Sequence, residues 1–494
     1  MKHARNVHIA AFLASLLFFF ASTPALSQGP FQEDDWIAWG DARNTNDISI
    51  GLQYIYVATS AGIYRYDRYQ QVWLTPWFSV PLPGNESILL GNVLRVREDP
   101  VTRDLYALTE KGWLRRTQTA GYWEKVDQPD KVVGERLLRG GKSARPAASL
   151  IAPLPFQINP DGSLRNLYKS WKFSVGLEDE LGPVVYGWKG FGFGARDLYS
   201  ARVDLFPAGP GRSTGMDLTQ SDIWCAGRLD RQNGWVWHRD RSSNAWEFFD
   251  PDNVFGLEPG DVLSLKIGPD NIVWMATTAG VMYFQENSWS RLRKVDGLPN
   301  ENVQDVAPFE GGAWIATGNG LGRITLAPKP AVYRPSPDLE PLVTGYAYSA
   351  VAMDSTTLYA TGGGVLFRKK GKQPFEQIDP PSVGSCTALF ARDGKLALGG
   401  TSGFAWDAGG SDWGVIGTVS EVYAIEFEGG FWWLGTDDGL IKFDPKTRKQ
   451  IRFGEREGLP GRQVFSVHAE GDWLWLGTDL ALVRFYWNSS RRSE

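Results

Sequence analysis

The chain has 494 residues, of which 43% are hydrophobic, so it is long enough for one large domain or about three of average size. Its formal net charge of −5 argues against the basic surface that nucleic-acid-binding proteins carry, and we expect no nucleic-acid partner. Two cysteines, Cys225 and Cys386, are too few for a disulfide framework, and two separate thiols are the favoured state over one bridge.

The first 27 residues are typical of a secretory signal peptide. Lys2 and Arg5 give a positively charged start, and an uncharged apolar run follows over Ile9–Ala21. Small residues then precede a predicted cleavage after Ser27. No later stretch reaches the roughly 18 apolar residues of a membrane span. We therefore expect a mature chain of residues 28–494 in the periplasm or outside the cell, without a transmembrane segment.

A short pattern recurs along the mature chain: an aromatic residue, a small residue two positions later, a Thr, and a Gly three positions after the Thr. Its clearest copy is FWWLGTDDGLIKFD at 431–444. Ten copies are anchored at Gly62, Gly112, Gly192, Gly234, Gly280, Gly320, Gly364, Gly403, Gly439 and Ala481. The steps between anchors are 50, 80, 42, 46, 40, 44, 39, 36 and 42 residues. Apart from the step of 80, these spacings predict four-stranded propeller blades.

Each copy has the pattern of four strands. An alternating apolar segment predicts an inner strand, the aromatic-to-Thr segment a second strand, and the anchor glycine a tight turn with positive φ into the third. A variable fourth strand closes the unit. The aromatic residue is then a wedge between adjacent sheets, and the small residue allows their close approach. The predicted fold class is all-β, a β-propeller of four-stranded blades.

The segments GLPGRQVFSVHAEGDWLWLGTD and GLPNENVQDVAPFEGGAWIATGNGLGRI resemble the two-component regulator propeller repeat. This resemblance, which covers nearly all of the mature chain, implies a periplasmic or extracellular β-propeller. Such propellers often form the sensing part of membrane-bound hybrid histidine kinases, and some are free-standing exported proteins. The chain departs from the sensor type because neither a later transmembrane helix nor a kinase or DNA-binding region is expected.

Ten copies exceed the four to eight blades of ordinary rings. We expect one ring that contains most of them; the alternatives are a ring of seven or eight blades in which some copies are not whole blades, or two smaller rings. The segment Asp34–Gly40 is predicted to complete the blade that the C-terminal LALVRFYW begins, and so to close the circle.

The repeat is interrupted at about 118–168, where a segment rich in Lys, Arg, Gly and Pro lacks the blade pattern. This insertion is interpreted either as a solvated loop or as a lid or docking surface. An aromatic group follows it, and we predict a ligand-binding site at Trp171, Tyr186, Trp188 and Lys189. The alternative is that these aromatic residues fill an irregular interface between blades.

The sequence offers little catalytic chemistry. Beyond the signal peptide the only histidines are His238 and His468, without metal-ligand spacing, so no metal site is expected. Nucleotide and cofactor motifs are not found, and no cofactor is expected. The acid pair Asp437-Asp438 stands where other copies have plain turn residues, and it is interpreted as part of a turn. No catalytic residue is assigned.

The favoured interpretation is an exported, non-enzymatic β-propeller that acts as a ligand-binding, sensing or protein-interaction scaffold. A protein partner or an extracellular glycan fits this interpretation. The alternative is a carbohydrate-active hydrolase or lyase whose acids converge in the channel of the propeller, and a third possibility is a detached sensor that binds an oligosaccharide.

Overall fold

The structure is a computed structural model, and only part of the chain is described below. The described residues are 26–27, 35–84, 86–120, 122–129, 145–146, 156–158, 164–166, 172–179, 182–197, 203–207, 209–229, 235–242, 245–251, 254–258, 260–409, 412–418 and 420–488. Nearly all of the predicted signal peptide and most of the 118–168 insertion lie outside these residues, so both remain predictions.

Ten antiparallel sheets, numbered 1 to 10 in chain order, each contain one copy of the repeat. The first three are sheet 1 (Thr45–Ile50, Tyr54–Thr59, Ile63–Asp67, Val72–Trp77), sheet 2 (Val93–Glu98, Leu105–Thr109, Gly112–Arg116, Glu124–Val126) and sheet 3 (Lys172–Glu178, Val184–Lys189, Gly192–Arg196, Val203–Pro207). The next three are sheet 4 (Gly215–Leu218, Asp222–Ala226, Val236–Asp240, Ala245–Phe249), sheet 5 (Gly260–Ile267, Val273–Thr277, Gly280–Gln285, Ser288–Leu292) and sheet 6 (Val303–Phe309, Gly312–Thr317, Gly320–Thr325, Ala331–Tyr333).

The last four complete the set. They are sheet 7 (Tyr348–Asp354, Thr357–Gly362, Val365–Lys370, Glu376–Ile378), sheet 8 (Cys386–Arg392, Lys395–Gly400, Gly403–Gly409, Asp412–Gly417), sheet 9 (Val422–Glu428, Phe431–Thr436, Gly439–Phe443, Gln450–Phe453) and sheet 10 (Val464–Glu470, Trp473–Thr478, Ala481–Tyr486, Trp36–Gly40). Short strands add to three sheets: Arg145–Pro146 to sheet 3, Arg228–Leu229 to sheet 5, and Leu26–Ser27, in parallel, to sheet 9.

A few elements lie outside the ten sheets. Two hairpins pair Ser79–Leu82 with Glu86–Leu89 and Phe156–Ile158 with Leu164–Asn166. Three single-turn 3-10 helices cover Lys294–Asp296, Pro341–Val343 and Glu455–Glu457.

The repeat pattern has the structural roles that the sequence predicts. Gly439 turns the second strand of sheet 9 into the third with φ of 99°. A Cβ added to Gly435 would lie 2.6 Å from the backbone oxygen of Val464 in sheet 10, which explains the small residue at this position. The Thr also has a role: Thr436 Oγ1 donates to the Gly439 carbonyl at 2.8 Å and accepts from the Asp438 amide at 3.1 Å. The Thr therefore holds the hairpin turn closed.

Each pair of neighbouring sheets shares a hydrophobic core. The wedge aromatic of one sheet packs into the core of the next: Tyr56 on sheet 2, Trp274 on sheet 6, Trp314 on sheet 7, Trp433 on sheet 10 and Trp475 on sheet 4. Cores also join sheets 4 and 5, 7 and 8, and 8 and 9. This set of contacts orders sheets 4 to 10 in a closed cycle.

The cycle closes between sheets 10 and 4. Trp475 is 1% exposed and shares a core with Met216, Cys225 and Trp237 of sheet 4. Beside it the Ser213 amide donates to the Thr478 carbonyl at 2.8 Å. Sheets 4 to 10 are therefore a seven-bladed ring. This agrees with the expectation of one ring that holds most of the ten copies.

The other three copies are also whole four-stranded sheets, but they form an open row in the order 3, 1, 2. Sheet 3 packs on sheet 1 through a core that contains Ile48 and Phe193, and Thr45 Oγ1 donates to the Gly192 carbonyl at 2.8 Å. Sheet 1 packs on sheet 2 around Tyr56 and Trp123. At the far end of the row, the wedge residue Tyr106 belongs to none of the inter-sheet cores formed by the described residues.

The row packs against the ring at three places. Tyr64 in the third strand of sheet 1 and Phe78 directly after its fourth strand contact the core between sheets 9 and 10. The hairpin at 79–89 covers the 3-10 turn Glu455–Glu457, and Leu89 donates its amide to Glu455 Oε1 at 2.9 Å. Sheet 3 contacts Trp235 and Phe248 beside sheet 4. The row therefore lies along the arc of sheets 9, 10 and 4.

The predicted closing strand is confirmed. Trp36–Gly40 pairs antiparallel with residues 481–485 and forms the outermost strand of sheet 10. The Trp36 ring stacks on Phe485 with 3.9 Å between the ring centroids. Cys225, which is buried, and Cys386, which is half-buried, are separate thiols in the structure. No helix in the part of the chain that the structure describes is long and apolar enough to cross a membrane.

Candidate functional site

The structure describes three of the four residues of the predicted aromatic site. Trp171 lies outside the described residues. Tyr186 and Trp188 are 1% and 2% exposed, and they pack with Phe191 in the core beside sheet 4. Burial raises the pKa of the Tyr186 phenol to about 12. Lys189 is exposed on the same strand. Tyr186 and Trp188 thus occupy an inter-sheet core, as the alternative interpretation expects, and a ligand site at these residues stays a prediction.

The central channel of the ring is the larger candidate. It is a cavity of about 460 Å³, and residues from the inner strands of all seven ring sheets line it. Rigid concave sites of this size are the usual place for a small ligand. The channel therefore combines a fixed frame with side chains from seven separate strands.

Bulges decide which side chains enter one end of the channel. In six ring sheets the pairing between the first two strands skips one residue near the start of the inner strand. The skipped residues are Leu263, Gln304, Ser349, Thr387, Tyr423 and Phe465, and all six line the cavity. Because a bulge redirects the side chain of its extra residue, we refer to these six residues as the bulge ring.

Three acids in the channel each contact the sheet before and the sheet after their own. Asp305 accepts the Val351 amide of sheet 7 at 3.0 Å, and its other oxygen lies 2.9 Å from Lys266 Nζ of sheet 5. Inner strands of adjacent blades do not pair with each other, so such an amide needs a side-chain acceptor. Asp305 supplies this acceptor while it neutralises the lysine.

Asp217 and Glu426 repeat this arrangement. Asp217 accepts the Ile267 amide of sheet 5 at 2.8 Å and lies 3.2 Å from His468 Nδ1 of sheet 10. Glu426, which is 2% exposed, accepts the Ala469 amide of sheet 10 at 3.4 Å and pairs with Arg392 of sheet 8.

These contacts determine what the channel acids can do. A glycosidase needs two carboxylates that face each other across a substrate, one of them free to donate a proton. Asp217, Asp305 and Glu426 are each held by a backbone amide and a basic side chain, so they are placed to stabilise the ring. Within the described ranges no group of three or more His, Cys, Asp and Glu side chains could hold a metal ion.

Asp437 and Asp438 are turn residues, as the sequence predicts. Asp437 exchanges hydrogen bonds with Glu421, since its carboxylate accepts the Glu421 amide at 3.0 Å and its amide donates to the Glu421 carbonyl at 3.1 Å. Asp438 lies 2.6 Å from Arg452 and 3.3 Å from Arg462. The two carboxylates thus have separate structural partners.

Sequence reasoning missed the bulge ring. Its members are of mixed type, so only the strand register reveals that they share a cavity. Their one sequence signal is position, since each lies near the start of an inner strand.

Comparisons with known proteins give structural likenesses only. No protein-family model and no curated protein sequence matches the chain. The extracellular domain of a hybrid two component system from B. thetaiotaomicron is 11% identical, with a TM-score of 0.46 over 90% of this chain and 70% of that one. A second such domain is 13% identical, with a TM-score of 0.40 over 90% and 75%. The WD40 domain of Neurospora crassa Pan2 is 11% identical, with a TM-score of 0.43 over 57% and 92%.

Proposed function

We propose that the protein is exported and acts as a non-enzymatic β-propeller scaffold that binds a ligand or a protein partner at a face of its disc. One observation carries this proposal: the channel is lined by all seven ring sheets, yet Asp217, Asp305 and Glu426 are committed to contacts between sheets. A rigid frame whose acids are held by backbone amides and neighbouring side chains suits binding better than acid–base catalysis.

Export rests on the N-terminal 27 residues, whose pattern predicts a cleaved signal peptide. The mature protein, residues 28–494, would then act in the periplasm or outside the cell. Lys189 and the 118–168 insertion are a second candidate contact surface, because Lys189 is the exposed member of the predicted aromatic site.

The test begins with the protein secreted by its own cell. Mass spectrometry of the N-terminal peptide is expected to find Gln28 first, as glutamine or as cyclised pyroglutamate, and an uncleaved N-terminus would contradict export by this route. The purified protein is then incubated with plant and bacterial polysaccharides while reducing ends are measured.

We expect no release of reducing ends by the wild type. Release that Asp305→Asn abolishes, while the variant keeps the circular dichroism spectrum of the wild type, would establish the hydrolase alternative. In that case the non-enzymatic proposal would be wrong.

A further inference from the structure

A cleft lies where the row packs against the ring, and we refer to it as the junction cleft. It has a volume of about 430 Å³ and shares no lining residue with the central channel. On the side of the row it is lined by the hairpin at 79–89, by Lys111 and by Lys125. On the side of the ring it is lined by the turn at Asp438 and by residues within 452–462. A ligand in this cleft can therefore contact both parts of the molecule at once.

Positive charge exceeds negative charge in the junction cleft. Its five basic side chains are Lys111, Lys125, Arg452, Arg456 and Arg462. Its three acidic side chains are Glu86, Asp438 and Glu455. The chain as a whole has a formal net charge of −5, so this local excess of basic groups runs against the overall composition. Basic groups gathered around a concave site attract an anion.

The acids of the ring side are shared among several donors. Asp438 lies 2.6 Å from Arg452 and 3.3 Å from Arg462, so one carboxylate serves two guanidinium groups. The Arg462 side chain is 76% exposed, and its contact with Asp438 uses only one of its five N–H donors. Glu455 lies 3.1 Å from Lys111 Nζ. Arg462 therefore keeps donors that can reach a ligand.

Two further basic groups are held weakly or not at all by acids. Arg456 lies 3.8 Å from Glu86, which is too far for a hydrogen bond. Lys125 is exposed and has no ion-pair partner among the described residues. The row and the ring thus each present unsatisfied cationic donors to the same cleft.

We propose that the junction cleft binds a small organic phosphate, with its phosphate group between Lys125 of the row and Arg462 of the ring. A phosphate monoester carries a charge of about −1.5 to −2 at pH 7, which matches the excess of positive charge. Guanidinium groups fit phosphate oxygens in pairs, and an ammonium group adds a point charge. Leu82 and Ile88 line the row side of the cleft and offer apolar surface to the carbon part of the ester.

This site goes beyond the scaffold function proposed above, because it lies outside the channel and does not depend on it. A ligand that contacts both walls binds the docked arrangement of row and ring more tightly than a separated one. Mass action then makes the docked arrangement more stable when the ligand is present. The expected sign is less hydrogen exchange in the hairpin at 79–89 and in the turn Glu455–Glu457, which meet beside the cleft.

The experiment is a calorimetric titration of the mature chain, residues 28–494, in phosphate-free buffer of low ionic strength. The ligands are inorganic phosphate, glycerol 3-phosphate, and phosphatidylcholine vesicles with or without phosphatidic acid, so that a soluble ester is distinguished from a lipid headgroup. We expect saturable binding of glycerol 3-phosphate or of the phosphatidic acid vesicles. Lys125→Gln and Arg462→Gln should each weaken it by about fivefold or more, since each removes one charged donor. Lys372→Gln is the matched control, because Lys372 is exposed and lies outside the cleft.

The melting temperature of each variant checks that it is folded. The phosphate site is refuted if no phosphate ligand binds, or if Lys372→Gln weakens binding as much as the two cleft variants. Equal or tighter binding of malonate, a dicarboxylate of similar charge, would also overturn it. Protection from hydrogen exchange that is confined to the ring would contradict a ligand held between the two walls. None of these results bears on the scaffold function, which is tested by the release of reducing ends.

Discussion

The ring of sheets 4–10 and the row of sheets 1–3 are built from the same repeat but assembled differently. In the ring, an acid such as Asp305 contacts both the sheet before it and the sheet after it. In the row, Asp47 of sheet 1 stands at the same position, but it pairs with Arg97 and accepts the Val96 amide, both from sheet 2. The ring acid therefore connects three sheets and the row acid only two.

This difference shows that a repeat defines a blade without defining the number of blades in a ring. The ring wedge residues Trp274, Trp314, Trp433 and Trp475 each pack into the core of the next sheet. Tyr106, at the end of the row, packs into no such core among the described residues. Closure depends instead on contacts made once in the chain. These are the strand Trp36–Gly40 and the packing of Trp475 on sheet 4.

Removing the closing strand Trp36–Gly40 should lower the free energy of unfolding more than any other change considered. A mature chain that begins at Asp41 loses the strand next to residues 481–485 and the Trp36 ring that is stacked on Phe485. We expect the free energy of unfolding to fall by more than the roughly 3–5 kcal/mol of one large core truncation. Urea denaturation measures it, with a chain that begins at Asp35 as the control. Equal stability of the two chains would refute closure by this strand.

Truncating a wedge residue should lower the free energy of unfolding more in the ring than at the end of the row. Trp433 is fully buried between sheets 9 and 10, so Trp433→Ala should cost about 3–5 kcal/mol. Tyr106→Ala at the end of the row should cost less, because Tyr106, although only 7% exposed, joins none of the inter-sheet cores formed by the described residues. The measurement is again the urea midpoint. A larger loss for Tyr106→Ala would mean that sheet 2 has a partner as extensive as a ring neighbour.

Removing an inner-strand acid should raise hydrogen exchange in more sheets in the ring than in the row. Asp305→Ala leaves the Val351 amide without its acceptor and Lys266 with only the Val351 carbonyl, and it should cost about 1–3 kcal/mol. Hydrogen exchange should then rise in sheets 5, 6 and 7. Asp47→Ala is the matched row variant, and its exchange should rise in sheets 1 and 2. Exchange that rises equally across all ten sheets in both variants would contradict separate cooperative units.

The smallest expected effect is a pH dependence at sheet 4. Burial alone would lower the pKa of His238, but Glu247 at 3.3 Å and Asp222 at 2.6 Å outweigh it and raise the pKa above its ordinary value. A raised folded pKa stabilises the protein below the unfolded pKa of about 6.5, and this stabilisation is lost as pH rises through the folded value.

His238→Gln should therefore flatten the decline of the melting temperature as pH rises above the unfolded pKa of about 6.5. The stacked neighbour Trp224 is retained, so the core beside it is unchanged. An identical pH profile for wild type and variant would show that the ion pairs with Asp222 and Glu247 do not stabilise the folded state.

The sequence was informative wherever one residue type has one physical use. A glycine that needs positive φ, a large ring between sheets and a small residue at a close approach predicted the ten blades and the roles of Trp433, Gly435 and Gly439. The Trp36–Gly40 pairing followed from a blade that lacked a fourth strand. The division into seven and three was not predicted, although sheet 2 departs from the pattern: Leu108 stands where sheet 10 has the close-packing Gly477. The bulge ring depends on strand register, which a one-residue shift changes completely.

The strand Trp36–Gly40 also affects the order in which the molecule can be built. A ribosome releases this strand early, and its partner residues 481–485 are made almost last. Until then the strand has an unpaired edge and an apolar face that other chains could capture. A chain broken off before residue 481 cannot complete sheet 10. The strand that closes the finished ring therefore stays unpaired until the last residues of the chain have been made.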